Sequence, residues 1–281
     1  MTAPSPTLTE PSARPQLTVP TSTAATNPLR RNLRHAFVLA KRNLVKTLRT
    51  PEQLIDVTLQ PIIFLVLFVY VFGGAIGHGS RHEYLQFLLP GLLGQGIAMG
   101  SIALGTNLNT DIEKGVFDRF RALPIARSAP LVGAVLADFF RYLLLAGIYI
   151  GFGYAMGFRI ETGVLPALAA VALVVGFALC FCWISVWAGL KARSAGAVQG
   201  IMFLLIFPLS FGSSAYVQPA TMPGWLQGFV KVNPISHVVG AVRGLMLGGP
   251  VAHHVYWTLG WMAVLLGVLV PLALRAYKRR A

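Results

Sequence analysis

Two charged residues, Asp138 and Arg141, have the clearest chemical potential in this sequence, because they lie inside a long apolar segment. A charge in a hydrocarbon environment is costly and usually faces protein or water. Their spacing of three positions lets the two side chains pair on one helix face. Asp138 could be the counter-charge for a cationic compound, or it could be the structural partner of Arg141. The structural role is favoured, since Arg141 can already neutralise the acid.

The other reactive side chains do not form a catalytic or metal-binding pattern. Cys180 and Cys182 are two positions apart, so on a helix they diverge by about 200° and cannot hold one metal or form a local disulfide. His253 and His254 have no acidic or Cys partner nearby, and we expect them to be solvated loop residues. The sequence therefore predicts no catalytic residue, no metal site and no bound cofactor.

The segment that must position Asp138 and Arg141 is one of six long apolar segments. Hydrophobic residues make up 55% of the chain and charged residues 11%, against about 25% charged in soluble domains. A helix needs about 20 apolar residues to cross a bilayer core. The six segments are 54–76, 87–106, 131–158, 164–190, 197–217 and 255–274. We therefore expect an all-α integral membrane protein with six transmembrane helices.

The distribution of basic residues predicts the orientation of these spans. If the N-terminus is cytosolic, 18 of the 23 Lys and Arg lie in inner segments and four in outer loops. This asymmetry is the positive-inside signature, and six spans place both termini in the cytosol. The net charge of +14 does not indicate a nucleic-acid partner, because the basic residues are not gathered on one folded face beside aromatics.

The first 50 residues contain two segments of different character. Residues 1–28 are rich in Pro, Ser, Thr and Ala, which predicts a disordered cytosolic tail. Residues 29–50 alternate apolar and basic residues at helical spacing, which predicts an amphipathic helix in the inner membrane interface. An organellar transit peptide is the less favoured alternative, since the helix runs directly into the first span. The six-span domain then occupies residues 51–281.

The inner loop after the second span reads TDIEKGVFDRFRALPIAR and predicts a short helix over 112–123. Thr110 and Glu113 match a capping box, and Pro124 ends the helix. Its apolar stripe and its polar face of mixed charge favour docking into a protein groove. The alternative is an interfacial loop helix without a partner.

Two further short helices are predicted outside, over 223–231 and 236–247, before the sixth span. Asn233 suits an N-cap and Pro234 a first helical turn, and Arg243 lies within the second helix. Two short apolar helices can enter and leave the membrane on one side if protein surrounds them. We expect a re-entrant hairpin that seals a pathway. The alternative is an amphipathic pair on the outer leaflet.

Three stretches within residues 33–277 carry a family resemblance when taken in order. They are the basic helix running into TPEQLIDVTLQPIIFLVLFVYVFGG, the loop EKGVFDRFRALPIARSAPLVGAVLAD, and NPISHVVGAVRGLMLGG before the sixth span. Together they resemble the permease subunit of a type-2 ABC exporter, closest to the daunorubicin-resistance branch. The resemblance implies a multi-pass protein of the bacterial plasma membrane that exports a hydrophobic or amphipathic drug. A lipid or lipid-linked polysaccharide is the alternative cargo.

The resemblance also implies partners. Such permeases work as a homodimer or heterodimer with two separate ATPase subunits, which use ATP and Mg²⁺. The sequence agrees with a non-catalytic subunit, because a phosphate-binding loop needs Gly-Lys before Ser or Thr and no Gly-Lys pair occurs. By the same resemblance, the helix over 112–123 would couple ATPase closure to the second and third spans. Its expected contact residues are Ile112, Glu113, Phe117, Asp118, Phe120 and Arg121.

A secondary transporter is the main alternative from another functional class. It would predict inverted internal repeats and coupling-ion carboxylates in the middle of the membrane, and neither is evident.

Overall fold

A computed structural model describes residues 51–76, 80–116 and 129–280. All regular elements in these ranges are helical, which confirms the all-α prediction. The helices are α1 (Pro51–Leu67), continued by a π-helical turn (Phe68–Phe72) and α2 (Gly73–Ile76), then α3 (Arg81–Gly100), α4 (Ile102–Glu113), α5 (Ala129–Met156), α6 (Val164–Lys191), α7 (Ala195–Phe211), α8 (Gly224–Val232), α9 (Pro234–Leu247) and α10 (Ala252–Arg280).

Four helical stretches in the described ranges are long and apolar enough to cross a membrane. They are Arg81–Glu113, Gly133–Met156, Val164–Lys191 and Ala252–Tyr277. Three apolar helices are shorter, at Thr58–Phe72, Ala195–Phe211 and Pro234–Leu247. The chain is therefore a multi-pass membrane protein by helix length and composition.

The second predicted span differs from expectation, because it is longer and consists of two helices. At Ser101 the backbone tightens: Ser101 N–H donates to the Ala98 carbonyl and Leu104 N–H to the Ser101 carbonyl, both at 3.2 Å. These i to i+3 bonds separate α3 from α4. The helix then continues to Glu113, well beyond the predicted end at 106.

This extension shows that the predicted capping box is wrong. Thr110 lies inside α4, where its hydroxyl donates to the Thr106 carbonyl at 2.9 Å. A threonine within a helix can bond the preceding turn in this way instead of capping a new helix. Gly115, with a φ of 66°, follows the end of α4, as is common for a glycine just past a helix C-terminus.

The fifth predicted span, in contrast, ends earlier than expected. Helix α7 ends at Phe211, not at 217, and Gly212 lies at its C-terminus. The reason is a tertiary contact. The Asn233 side-chain amide donates to the carbonyls of Leu209 and Gly212, so these carbonyls at the end of α7 have a partner without another helical turn.

Helix α6 packs against α4, α9 and α10, while α3 packs against α9 and α5. The core between these helices is mostly apolar and includes Leu88, Leu92, Phe177, Val238 and Val239, none of which is accessible. Helix α9 is thus enclosed by protein on its apolar face.

Several predictions fall outside the described residues. These are the tail over 1–28, the basic helix over 29–50, and Phe117, Asp118, Phe120 and Arg121 of the predicted coupling helix. Ile112 and Glu113 are described, and they form the end of α4 instead of the start of a new helix.

Candidate functional site

The structure places Asp138 and Arg141 in contact on α5. Arg141 Nη2 lies 2.9 Å from Asp138 Oδ2, and each side chain is 10% exposed. The Tyr142 hydroxyl donates to the same carboxylate oxygen at 3.2 Å. Because the carboxylate is buried and already has two donors, little of its surface remains for an outside cation.

Arg141 has a second partner that the sequence did not indicate. Its Nη2 donates to the Gly100 carbonyl oxygen at 2.6 Å. Gly100 is the last residue of α3, and its carbonyl would accept from Leu104 in an unbroken helix. Leu104 N–H donates to Ser101 instead, so the guanidinium takes the carbonyl left at the break. A cation at a helix C-terminus is favourable because the free carbonyls there carry partial negative charge.

Below this break, α4 and α6 meet backbone to backbone. A Cβ placed on Gly105 would lie 2.5 Å from the Ser185 carbonyl oxygen, and one on Gly189 would lie 2.5 Å from the Gly105 carbonyl oxygen. Only glycine permits this approach. The Asn109 side-chain amide also donates to the carbonyls of Gly189 and Ala192, at 2.9 and 3.1 Å. We call Gly105, Asn109 and Gly189 the inner seam.

On the predicted outer side, Asn233 joins two helix ends. Its Oδ1 accepts from Ile235 N–H at 2.9 Å, as expected of the N-cap of α9. Its Nδ2 donates to Leu209 and Gly212 carbonyls at 2.7 and 2.9 Å. One side chain therefore bonds the start of α9 and the end of α7. Pro234 is the first residue of α9 and is buried.

Arg243 of α9 binds two further elements. Its guanidinium lies 3.8 Å from the ring centroid of Phe87 and donates to the Phe87 carbonyl at 3.0 Å. It also donates to the Ser214 carbonyl, in the segment between α7 and α8, at 3.0 Å. No carboxylate within the described ranges is in ion-pair contact with it. Gly91 of α3 lies against the backbone of Ala215 in the same segment. We call Phe87, Gly91, Ser214, Asn233 and Arg243 the outer cluster.

The segment after α7 is fixed by aromatic hydroxyls as well. Tyr216 donates to Gln95 Oε1 at 2.8 Å, and the Tyr84 hydroxyl donates to the Tyr216 carbonyl at 3.3 Å. No local pattern in the sequence indicates these contacts, since the partners are more than 100 positions apart.

The prediction of solvated loop histidines is wrong for His254. His253 and His254 lie in the first turn of α10, and His254 Nδ1 is 3.4 Å from His237 Nδ1 of α9. His237 Nε2 lies 2.9 Å from the Lys231 carbonyl, which can only accept, so this nitrogen carries the proton. Burial lowers the pKa of His237, which keeps the imidazole neutral at neutral pH.

Comparison with known proteins identifies relatives along most of the chain. The family described as ABC-2 type transporter matches residues 34–247. A daunorubicin resistance ABC transporter permease protein, DrrB1, from Streptomyces coeruleorubidus is 42% identical over 230 residues, which cover 82% of this chain and 81% of that protein. A probable doxorubicin resistance permease, DrrC, from Mycobacterium tuberculosis (strain H37Rv) is 27% identical over 90% of this chain and 91% of that protein.

Proposed function

Since the chain belongs to the ABC-2 type transporter family, as a permease homologous to drug-resistance permeases, we propose that it forms the translocation pathway of an ATP-driven drug exporter. The observation that carries this proposal is 42% identity with a daunorubicin resistance permease over 82% of the chain. The proposed cargo is a hydrophobic or amphipathic compound. Export of a lipid or a lipid-linked polysaccharide is the second candidate, because the same architecture serves an equally apolar cargo.

Permeases of this kind work with a separate ABC ATPase. We propose two ATPase copies, which use ATP and Mg²⁺, and a second permease subunit. The proposed docking segment is 112–123, with Phe117 and Phe120 as apolar anchors and Asp118 and Arg121 setting the register. The course of α4 supports this proposal, since it extends the second span to Glu113 and so leads directly into the segment.

The proposed topology has six spans in the bacterial plasma membrane with both termini in the cytosol. Four long apolar helices and the two shorter stretches Thr58–Phe72 and Ala195–Phe211 match this number. The excess of Lys and Arg in the inner segments supports the orientation.

We propose that α8 and α9 form a re-entrant hairpin that closes the outer end of the pathway. Ile235, Val238, Val239 and Val242 of α9 are fully buried within the protein. A helix resting on the outer leaflet would instead turn its apolar face toward lipid. Both ends of α9 have partners, as a segment within the membrane requires: Asn233 accepts from Ile235 N–H at the start, and Glu161 N–H donates to the Met246 carbonyl at 2.9 Å near the end.

Transport by the purified complex tests the proposal. The permease, co-expressed with its ATPase, is reconstituted in liposomes, and ATP-dependent movement of doxorubicin is followed by fluorescence. The control complex contains an ATPase that binds but does not hydrolyse ATP, and it should move no drug. Movement driven by a proton gradient without ATP would contradict the proposal and favour a secondary transporter. ATP-dependent movement of lipid alone would favour the second candidate.

A further inference from the structure

We infer that Arg141 is a positioning residue for energy coupling: it fixes the break in the second span, so that α4 and α6 can move as one unit against α3. This inference rests on the proposed function, because the unit that moves is the one that leads to the proposed ATPase contact. It assigns the Asp138–Arg141 pair to the transmission of movement and not to cargo binding.

The first argument is that the two halves of the second span have partly different partners. Helix α3 is held at the outer cluster, where Arg243 binds the Phe87 carbonyl. A Cβ on Gly94 of α3 would come 2.9 Å from Val239 of α9, so these helices are closely packed. Helix α4 packs mainly against α6 and α7, and α6 is a neighbour of both halves because it also contacts α3 and α9. A movement that separates these partners must therefore bend the span at its break.

The second argument is that the inner seam resists sliding. The Gly105 and Gly189 backbones are in direct contact, and a shift of either helix along the other would bring side chains into the space that only glycine allows. Asn109 adds two hydrogen bonds to the end of α6. A displacement of the end of α4 at Glu113 therefore moves α6 by a similar distance.

The third argument concerns the break itself. Within the described ranges, the Gly100 carbonyl accepts from Arg141 of α5, which therefore gives the break a fixed point on a third helix. Asp138 keeps the guanidinium neutralised and oriented, and Tyr142 orients Asp138. Arg141 Nε is buried without a partner, so the guanidinium keeps a donor that is free to bond when the break changes shape.

Two double variants separate this role from simple charge neutralisation. In Asp138→Asn with Arg141→Met, no unpaired charge remains, so the complex should assemble. In Asp138→Arg with Arg141→Asp, the ion pair remains but the guanidinium moves one helical turn away from Gly100. We expect both variants to hydrolyse ATP near the normal rate while the number of drug molecules moved per ATP falls at least tenfold.

Spin-label distances in the otherwise unchanged complex provide a second measurement that does not depend on these variants. Exposed positions on α3, α4 and the segment after α6 are available at Glu83, Asn107 and Arg193. When the ATPase is trapped in its closed state, the distance from 107 to 193 should stay constant and the distance from 83 to 107 should change. The opposite pattern would overturn the inference.

The outcomes distinguish this inference from the proposed function. If the unaltered complex moves drug with ATP and the charge-swapped variant keeps its drug-to-ATP ratio, the pair is merely electrostatic and the inference alone fails. If either double variant does not assemble, the spin-label distances decide. If the unaltered complex shows no ATP-driven movement, the proposed function fails and the inference fails with it.

Discussion

Replacing Gly91 by Ala should disturb the outer cluster, because Gly91 of α3 lies against the backbone of Ala215. An added Cβ would lie 2.8 Å from the Ala215 carbonyl carbon, 2.9 Å from its Cα, and closer still to its oxygen. Ordinary contacts begin at 3.4 Å, so the segment must retreat by about 0.6 Å for the carbonyl carbon alone. The neighbouring residue, Ser214, would retreat with it.

The energetic effect follows from three contributions. Overpacking costs about 1 to 3 kcal/mol. The retreat stretches the 3.0 Å bond from Arg243 to the Ser214 carbonyl beyond hydrogen-bond length, and losing a bond to a charged group costs about 1.5 to 3 kcal/mol. Alanine stabilises the helix by about 1 kcal/mol relative to glycine, because its helix propensity is higher. The net destabilisation should therefore be about 1.5 to 5 kcal/mol.

Thermal unfolding of the detergent-purified permease measures this effect. Gly267→Ala in α10 is the matched control, because a Cβ there would meet nothing within 4 Å. The control should unfold at or slightly above the normal temperature, and Gly91→Ala should unfold at a clearly lower one and export less drug. Equal stability of the two variants would refute the reasoning, since it would show that the segment after α7 yields without cost.

Three other predictions concern orientation, coupling and pH. Thiol labelling in intact cells should fail for Ser5→Cys and Ala281→Cys and succeed only after permeabilisation; labelling from outside would disprove the cytosolic termini. Replacing Phe117 and Phe120 together by Ala should leave membrane insertion intact but abolish co-purification with the ATPase, at a cost of about 1 to 4 kcal/mol, and retained export would show that this segment does not dock. Burial lowers the folded-state pKa of His237, so the stability contributed by the neutral ring is fully present above the ordinary histidine pKa of about 6.5 and declines as the pH falls below it. His237→Gln should weaken this decline, and an unchanged profile would contradict the assignment.

Local features of the sequence predicted much of this architecture correctly. The all-helical fold, the position of most apolar helices and the family follow from apolar length and from motifs in order. The cap at Asn233 follows as well, because capping depends on residues next to it. The capping box that the local sequence predicted at Thr110 is wrong, because the same hydroxyl can cap a helix or bond to the preceding turn within one. The neighbouring sequence does not distinguish these two states.

The sequence by itself determined that this chain is a multi-pass membrane permease, and it predicts an order of spans and an orientation. These properties depend on the length of apolar segments and on where the basic residues lie, and neither depends on contacts between helices. The tertiary structure alone decided what the charged residues do. Arg141 meets Gly100 across 41 positions, and Arg243 meets Phe87 across 156. Such contacts leave no periodic pattern in the sequence. They form only when separate helices pack together and particular backbone carbonyls still need a hydrogen-bond donor.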